Sequence, residues 1–175
     1  MTARPISSDQ AKRLMQRATN AAVSIALVLI VLKLAAWLIT DSVSLLSSLA
    51  DSAMDALASL VNLFAVRHAL QPADSEHRFG HGKAEPLAGL GQAAFISASG
   101  IYLIFEAVGR LIEPRVIEQG AFGLGVMMIS IAVTGALVAY QRSVVRRTDS
   151  LAIRADSVHY ATDILVNAGV IVSLL

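Results

Sequence analysis

The sequence predicts an all-α, polytopic transmembrane helical bundle, and three observations carry that prediction. Long apolar runs are almost free of charge: residues 18–40 hold only Lys33, and residues 86–105 and 119–141 hold no Asp, Glu, Lys or Arg. Charged residues make up 15% of the chain, well below the roughly 25% of soluble domains. Basic residues fall in alternate loops, as a chain that crosses a membrane repeatedly requires.

A span needs about 20 mostly apolar residues, and five segments qualify. The N-terminal tail, 1–17, carries Arg4, Lys12, Arg13 and Arg17 and precedes span 1 at 18–40. That span is too long for the apolar stretch of a cleavable signal. The link "TDS" at 40–42 makes a tight hairpin into span 2 at 43–67. A polar loop, "QPADSEHRFGHGK" at 71–83, contains the turn residues Pro72, Gly80 and Gly82. Span 3 follows at 84–110, span 4 at 119–141 and span 5 at 152–175. The runs are long and lack strict alternation, so they read as helices rather than strands. Arg67, Arg78 and Lys83 lie in the loop after span 2, and Arg142, Arg146 and Arg147 in the loop after span 4, with Arg154 just beyond. Arg110 and Arg115 lie on the other side. The N-terminus is therefore expected in the cytoplasm.

A net charge of +1 points to no nucleic-acid partner. The absence of cysteine excludes disulfides and thiolate ligands, so any metal must use nitrogen and oxygen donors. H-E-x-x-H and G-x-S-x-G motifs are absent, which argues against a membrane hydrolase.

The chemistry sits where oil is expected. Asp51 and Asp55 in span 2, and His159 and Asp163 in span 5, are each four residues apart and so share a helix face. At 1.5 Å per residue, Asp51 lies about 12 Å into the bilayer and the span 5 pair about 10–17 Å in from the opposite side. Both pairs thus reach similar depth. Each uncompensated charge there costs at least about 2.5–3.5 kcal/mol. Lys33 can pair with one carboxylate, not three. A divalent cation held by three carboxylates and an imidazole satisfies charge and coordination together, and four N/O ligands in a tetrahedron suit Zn²⁺. In a soluble helix the same spacing is commonly a solvated face.

Outside the spans, Asp74, His77 and His81 have a spacing that can converge three ligands on one turn. His68, at the end of span 2, reads as an interfacial residue, and Asp156 as a carboxylate suited to the helix N-terminus. Glu106 and Arg110 are spaced as an i,i+4 pair. Gly89, Gly91 and Gly100 in span 3 are candidates for close helix approach.

Together, "SLLSSLADSAMDALASLVNLFAVRHALQPADSEHRFGHGKAEPLAGL" and "ADSVHYATDILVNAGV" resemble the cation diffusion facilitator family, most of all its bacterial zinc/iron efflux branch. The resemblance runs from about residue 15 to the end. It implies a proton-coupled exporter of divalent transition metals in the bacterial inner membrane, working as a homodimer in its full-length form. Asp51, Asp55, His159 and Asp163 would form the transport site. Asp74, His77 and His81 would hold a second, structural Zn²⁺, and Lys83 would join a charge cluster. Protons would be the counter-substrate, with Cd²⁺ and Fe²⁺ as alternative cargo. The family has a sixth span and a cytoplasmic metal-binding domain, both absent here, so a fragment is expected. A non-transporting metal-binding scaffold or inactive fragment is the alternative reading.

Overall fold

The computed structural model describes residues 7–112 and 121–173 and contains five helices there, with no strand among the described residues. These are α1 (Ser8–Thr40), α2 (Val43–Ala69), α3 (Ala84–Ile112), α4 (Ala121–Thr148) and α5 (Leu151–Ser173). The all-helical bundle predicted from the sequence is the architecture found.

Local chemistry sets the helix ends. Ser7 caps α1 through a capping box: its hydroxyl accepts from the Gln10 amide at 3.3 Å, and the Gln10 side chain accepts from the Ser7 amide at 3.1 Å. The helix therefore starts well before the apolar run, and residues 8–17 of the polar tail form nearly its first three turns. Two hairpins share one construction. Asp41 (φ 48°) ends α1 and Asp149 (φ 52°) ends α4. Each donates its amide back four residues, to Trp37 and Val145 respectively. Aspartate tolerates the left-handed conformation better than most residues, so a reversal needs only two residues.

α1 packs chiefly on α2 and α4, while α5 lies against α4, α3 and α2. The inward stripe of α1 is Ala18, Ala22, Ala26, Leu29, Lys33 and Ala36, spaced three or four apart. Small residues there let helix backbones approach closely. α2 turns Ser52, Ala56, Ser59, Asn62 and Val66 inward at the same spacing.

The pattern is inverted relative to a soluble bundle. Lys33, Ser59, Asn62, Gln92, Thr134, Gln141, Asp156 and His159 are buried, whereas Val31, Leu38, Val61, Phe64, Leu90, Ile104 and Leu165 face outward. Apolar side chains of that size on every helix surface fit a lipid environment. Among the described residues, four helices are long and apolar enough to cross a membrane: Ser8–Thr40, Val43–Ala69, Ala84–Phe105 and Phe122–Thr148. α5, which carries Arg154, Asp156 and Asp163, is not one of them among the described residues. Residues 119–120 and 174–175 of the expected spans 4 and 5 lie outside the described residues, as do Arg115 and the side chains of Glu106 and Arg110.

Of Gly89, Gly91 and Gly100 in span 3, only Gly89 meets a neighbour among the described residues. A Cβ there would sit 3.5 Å from the Leu151 carbonyl oxygen of α5. Around Gly91 and Gly100 there is open space among the described residues.

Candidate metal centre

α2 and α5 run side by side and bring three of the four intramembrane candidates together. His159 Nε2 lies 3.1 Å from Asp55 Oδ1 and 3.7 Å from Asp163 Oδ2. One ligand atom from each of Asp55, His159 and Asp163 falls within 4.8 Å of the others. His159 is buried and both carboxylates are half-buried. The shorter contact is a hydrogen bond. The longer one is beyond hydrogen-bond reach, which leaves Asp163 Oδ2 buried without a partner. Two carboxylates and an imidazole form a hard-to-borderline donor set suited to Zn²⁺ and its neighbours, and the orphaned oxygen is a free ligand atom. Asp51 stands one turn away on α2, exposed and outside this trio.

The surroundings fix the trio. Phe95 of α3 meets the His159 ring edge-on at 5.6 Å between centroids. The hydroxyls of Ser59 and Tyr160 are hydrogen-bonded at 2.7 Å and lock α2 to α5 one turn from Asp55. A cavity of about 30 Å³ adjoins Asp55 and Asp163 and is also lined by Lys33, Ser52, Thr134 and Asn167. That is room for a water-sized body. Lys33 does not pair with a carboxylate within salt-bridge distance among the described residues. Its ammonium donates to Ser52 Oγ at 2.7 Å and to the Ser48 carbonyl at 3.2 Å.

Asp156 is a correction. It is not a cap, because that task falls to Ser150, whose hydroxyl accepts from the Ile153 amide at 3.3 Å. Asp156 is completely buried, with its two oxygens accepting from Gln92 Nε2 at 3.1 Å and Gln141 Nε2 at 2.6 Å. The carboxylate thereby joins α3, α4 and α5 one turn before His159. Gln92 and Gln141 escaped the sequence reading because it weighed charges and passed over amides; an amide inside an apolar run was the available signal.

The loop between α2 and α3 gathers Asp74, His77 and His81, again with one ligand atom each within 4.8 Å. His77 Nδ1 and His81 Nε2 each lie 3.4 Å from an Asp74 oxygen. Asp74 Oδ1 also accepts from the backbone amides of His77 at 2.6 Å and Glu76 at 3.0 Å. The His77 amide, followed by that of Glu76 and the nearby imidazoles, holds the Asp74 carboxyl below the usual carboxylate range. Gly80 (φ 78°) makes the turn that returns His81 to this point. His81 is buried, and its Nδ1 has no partner. Lys83 is exposed, beside the start of α3.

A helical bundle with an apolar outside and an interior of carboxylate, imidazole and amide side chains is a polytopic membrane protein. The chain belongs to the cation diffusion facilitator family, whose members are transporters rather than enzymes: residues 20–175 match the cation efflux transmembrane domain. Over 162 residues it is 48% identical to a cation-efflux pump, FieF, of Salmonella arizonae and 49% identical to those of Pectobacterium carotovorum and Pectobacterium atrosepticum. These alignments cover 93% of this chain and 54% of each relative, so the chain spans about half the length of the curated relatives it matches.

Proposed function

We propose that the protein is the membrane part of an exporter of divalent transition-metal ions, Zn²⁺ first and Cd²⁺ or Fe²⁺ next, in exchange for protons. The observation that carries this reading is the Asp55–His159–Asp163 cluster, held between two helices in an otherwise lipid-facing bundle. Asp51 completes the set by a side-chain rotation on the same face of α2. The metal is cargo, and the side chains compete for it with protons, since carboxylate and imidazole ligands must be deprotonated to bind. Open to the cytoplasm, the cluster exchanges protons for metal. Open to a more acidic exterior, it takes protons and releases the ion. The name of those relatives, cation-efflux pump, supports the outward direction. The reading places α5 as a fifth span with its charges turned inward, the N-terminus in the cytoplasm of a bacterial inner membrane, and two full-length copies in a homodimer. A structural Zn²⁺ at Asp74, His77 and His81 is part of it, supported by the convergence of one ligand atom from each within 4.8 Å.

The test is Zn²⁺ flux in proteoliposomes under an imposed pH gradient, comparing the wild type with Asp55→Ala and His159→Ala. The expected result is gradient-driven flux in the wild type and none in either variant. Undiminished flux in both variants would falsify the assignment. Zinc binding without flux in the wild type would leave a metal-binding scaffold instead.

A further inference from the structure

His68 occupies the last turn of α2, the point from which the chain enters the loop. The structure does not leave it as an isolated interfacial residue. Its ring packs edge-on against His81, with centroids 4.4 Å apart and planes at 68°. His81 also packs against His77, at 4.4 Å between centroids. Three imidazoles and the Asp74 carboxylate are therefore gathered at one place. Three of them offer ligand atoms within 4.8 Å, and His68 stands just outside that group.

Structural Zn²⁺ sites are four-coordinate and close their shell with protein ligands. The loop supplies three. We propose that His68 supplies the fourth ligand to the ion held by Asp74, His77 and His81, a role that rests on the reading of that trio as a metal site. Two observations favour it. The His68 side chain is exposed, while its backbone is anchored: its carbonyl accepts from the Gln71 amide at 3.0 Å. In addition, the ring it touches belongs to the buried histidine whose Nδ1 has no partner, so ligand rearrangement around His81 breaks no hydrogen bond at that atom. Rotation exchanges an edge-on ring contact for a metal–nitrogen bond. The consequence reaches beyond the loop. A His68 ligand ties the site to the end of α2, the helix that carries Asp55, and so couples loop order to that helix.

The experiment measures binding of Zn²⁺ and of Co²⁺, a spectroscopic stand-in, to the detergent-purified full chain. Asp55→Asn serves as the common background that disables the intramembrane cluster. In that background His68→Tyr keeps an aromatic ring beside His81 but removes the ligand, and His77→Ala removes a loop ligand. Expected for His68→Tyr is a loss of at least about tenfold in affinity, since removing even an outer-shell partner of a metal costs 10–100-fold. The Co²⁺ visible absorption should also weaken as four-coordinate geometry gives way to a hydrated, higher-coordinate one. Unchanged affinity and spectrum in His68→Tyr, with binding abolished in His77→Ala, overturns the His68 ligand and leaves the loop site standing. Equal binding in the background, His68→Tyr and His77→Ala overturns the loop site itself, and the inference with it.

Discussion

At the scale of residues, the cluster predicts an order of importance. Asp55 contacts His159 directly, whereas Asp51 is exposed and one turn away. Asp51 must first rotate in, so Asp55→Asn should lower Zn²⁺ affinity more than Asp51→Asn does, and calorimetric titration of the two variants checks it; equal losses would mean that the rotation of Asp51 costs nothing. His159→Asp replaces a borderline nitrogen with a hard oxygen donor, so Mn²⁺ flux should rise relative to Zn²⁺ flux in a competition assay. Asp74 makes a prediction about pH. Its pKa lies below the ordinary 3.8 because backbone amides hold the charged form. A lowered value gives stability that is present above pH 3.8 and lost as pH falls through the folded value. Acidification from pH 8 to pH 5 should thus leave the His77 amide protected in hydrogen exchange at this turn. The candidate ligands were legible because i,i+4 spacing fixes a shared face before any packing is known. Asp156 was not, because a carboxylate near a helix start has the same sequence pattern whether it caps the helix or is swallowed by neighbouring helices. The contact of His68 with His81 was not legible for the related reason that His81 is brought to it by a turn whose geometry depends on Gly80.

At the scale of elements, the Asp156 node decides how α3, α4 and α5 hold together. Asp156→Ala strands two buried amide groups, each costing about 1–3 kcal/mol when left without a partner, so a loss of about 2–6 kcal/mol is expected. Asp156→Asn should cost less, because its own N–H groups can reach buried acceptors that now lack donors, Gln141 Oε1 and Asn62 Oδ1 among them. Thermal unfolding of the detergent-solubilised variants separates the two. Equal destabilisation would show that the charge, rather than the hydrogen-bond geometry, is what the node uses. Helix number and approximate ends were legible from charge-free runs. The start of α1 was not: its first turns are polar in composition and helical through the Ser7 capping box and the burial of Met15 and Ala18 against Val66 and Ile153.

For the molecule as a whole, the inverted distribution of side chains and the alternation of basic loops make one geometric claim that a direct experiment reaches. The chain contains no cysteine, so any introduced thiol is the only one present. The α2–α3 loop carries Arg78 and Lys83, and the α4–α5 connection is flanked by Arg146, Arg147 and Arg154, while Asp41 and Ser42 form the α1–α2 turn without a basic residue. Positive charge stays on the cytoplasmic side. Glu76→Cys and Arg147→Cys should therefore react with a membrane-impermeant maleimide only in inside-out vesicles, and Ser42→Cys only in right-side-out ones. All three positions lie at the ends of helices or in a loop, where a thiol disturbs no buried contact among the described residues. The pattern discriminates between two arrangements of the same five helices. If α2 crosses the bilayer, positions 42 and 76 must label from opposite faces, and Asp55 is carried between them at membrane depth. If both label from one face, α2 lies along the surface, the desolvation argument for a bound cation disappears, and the acidic cluster becomes an ordinary solvated pair.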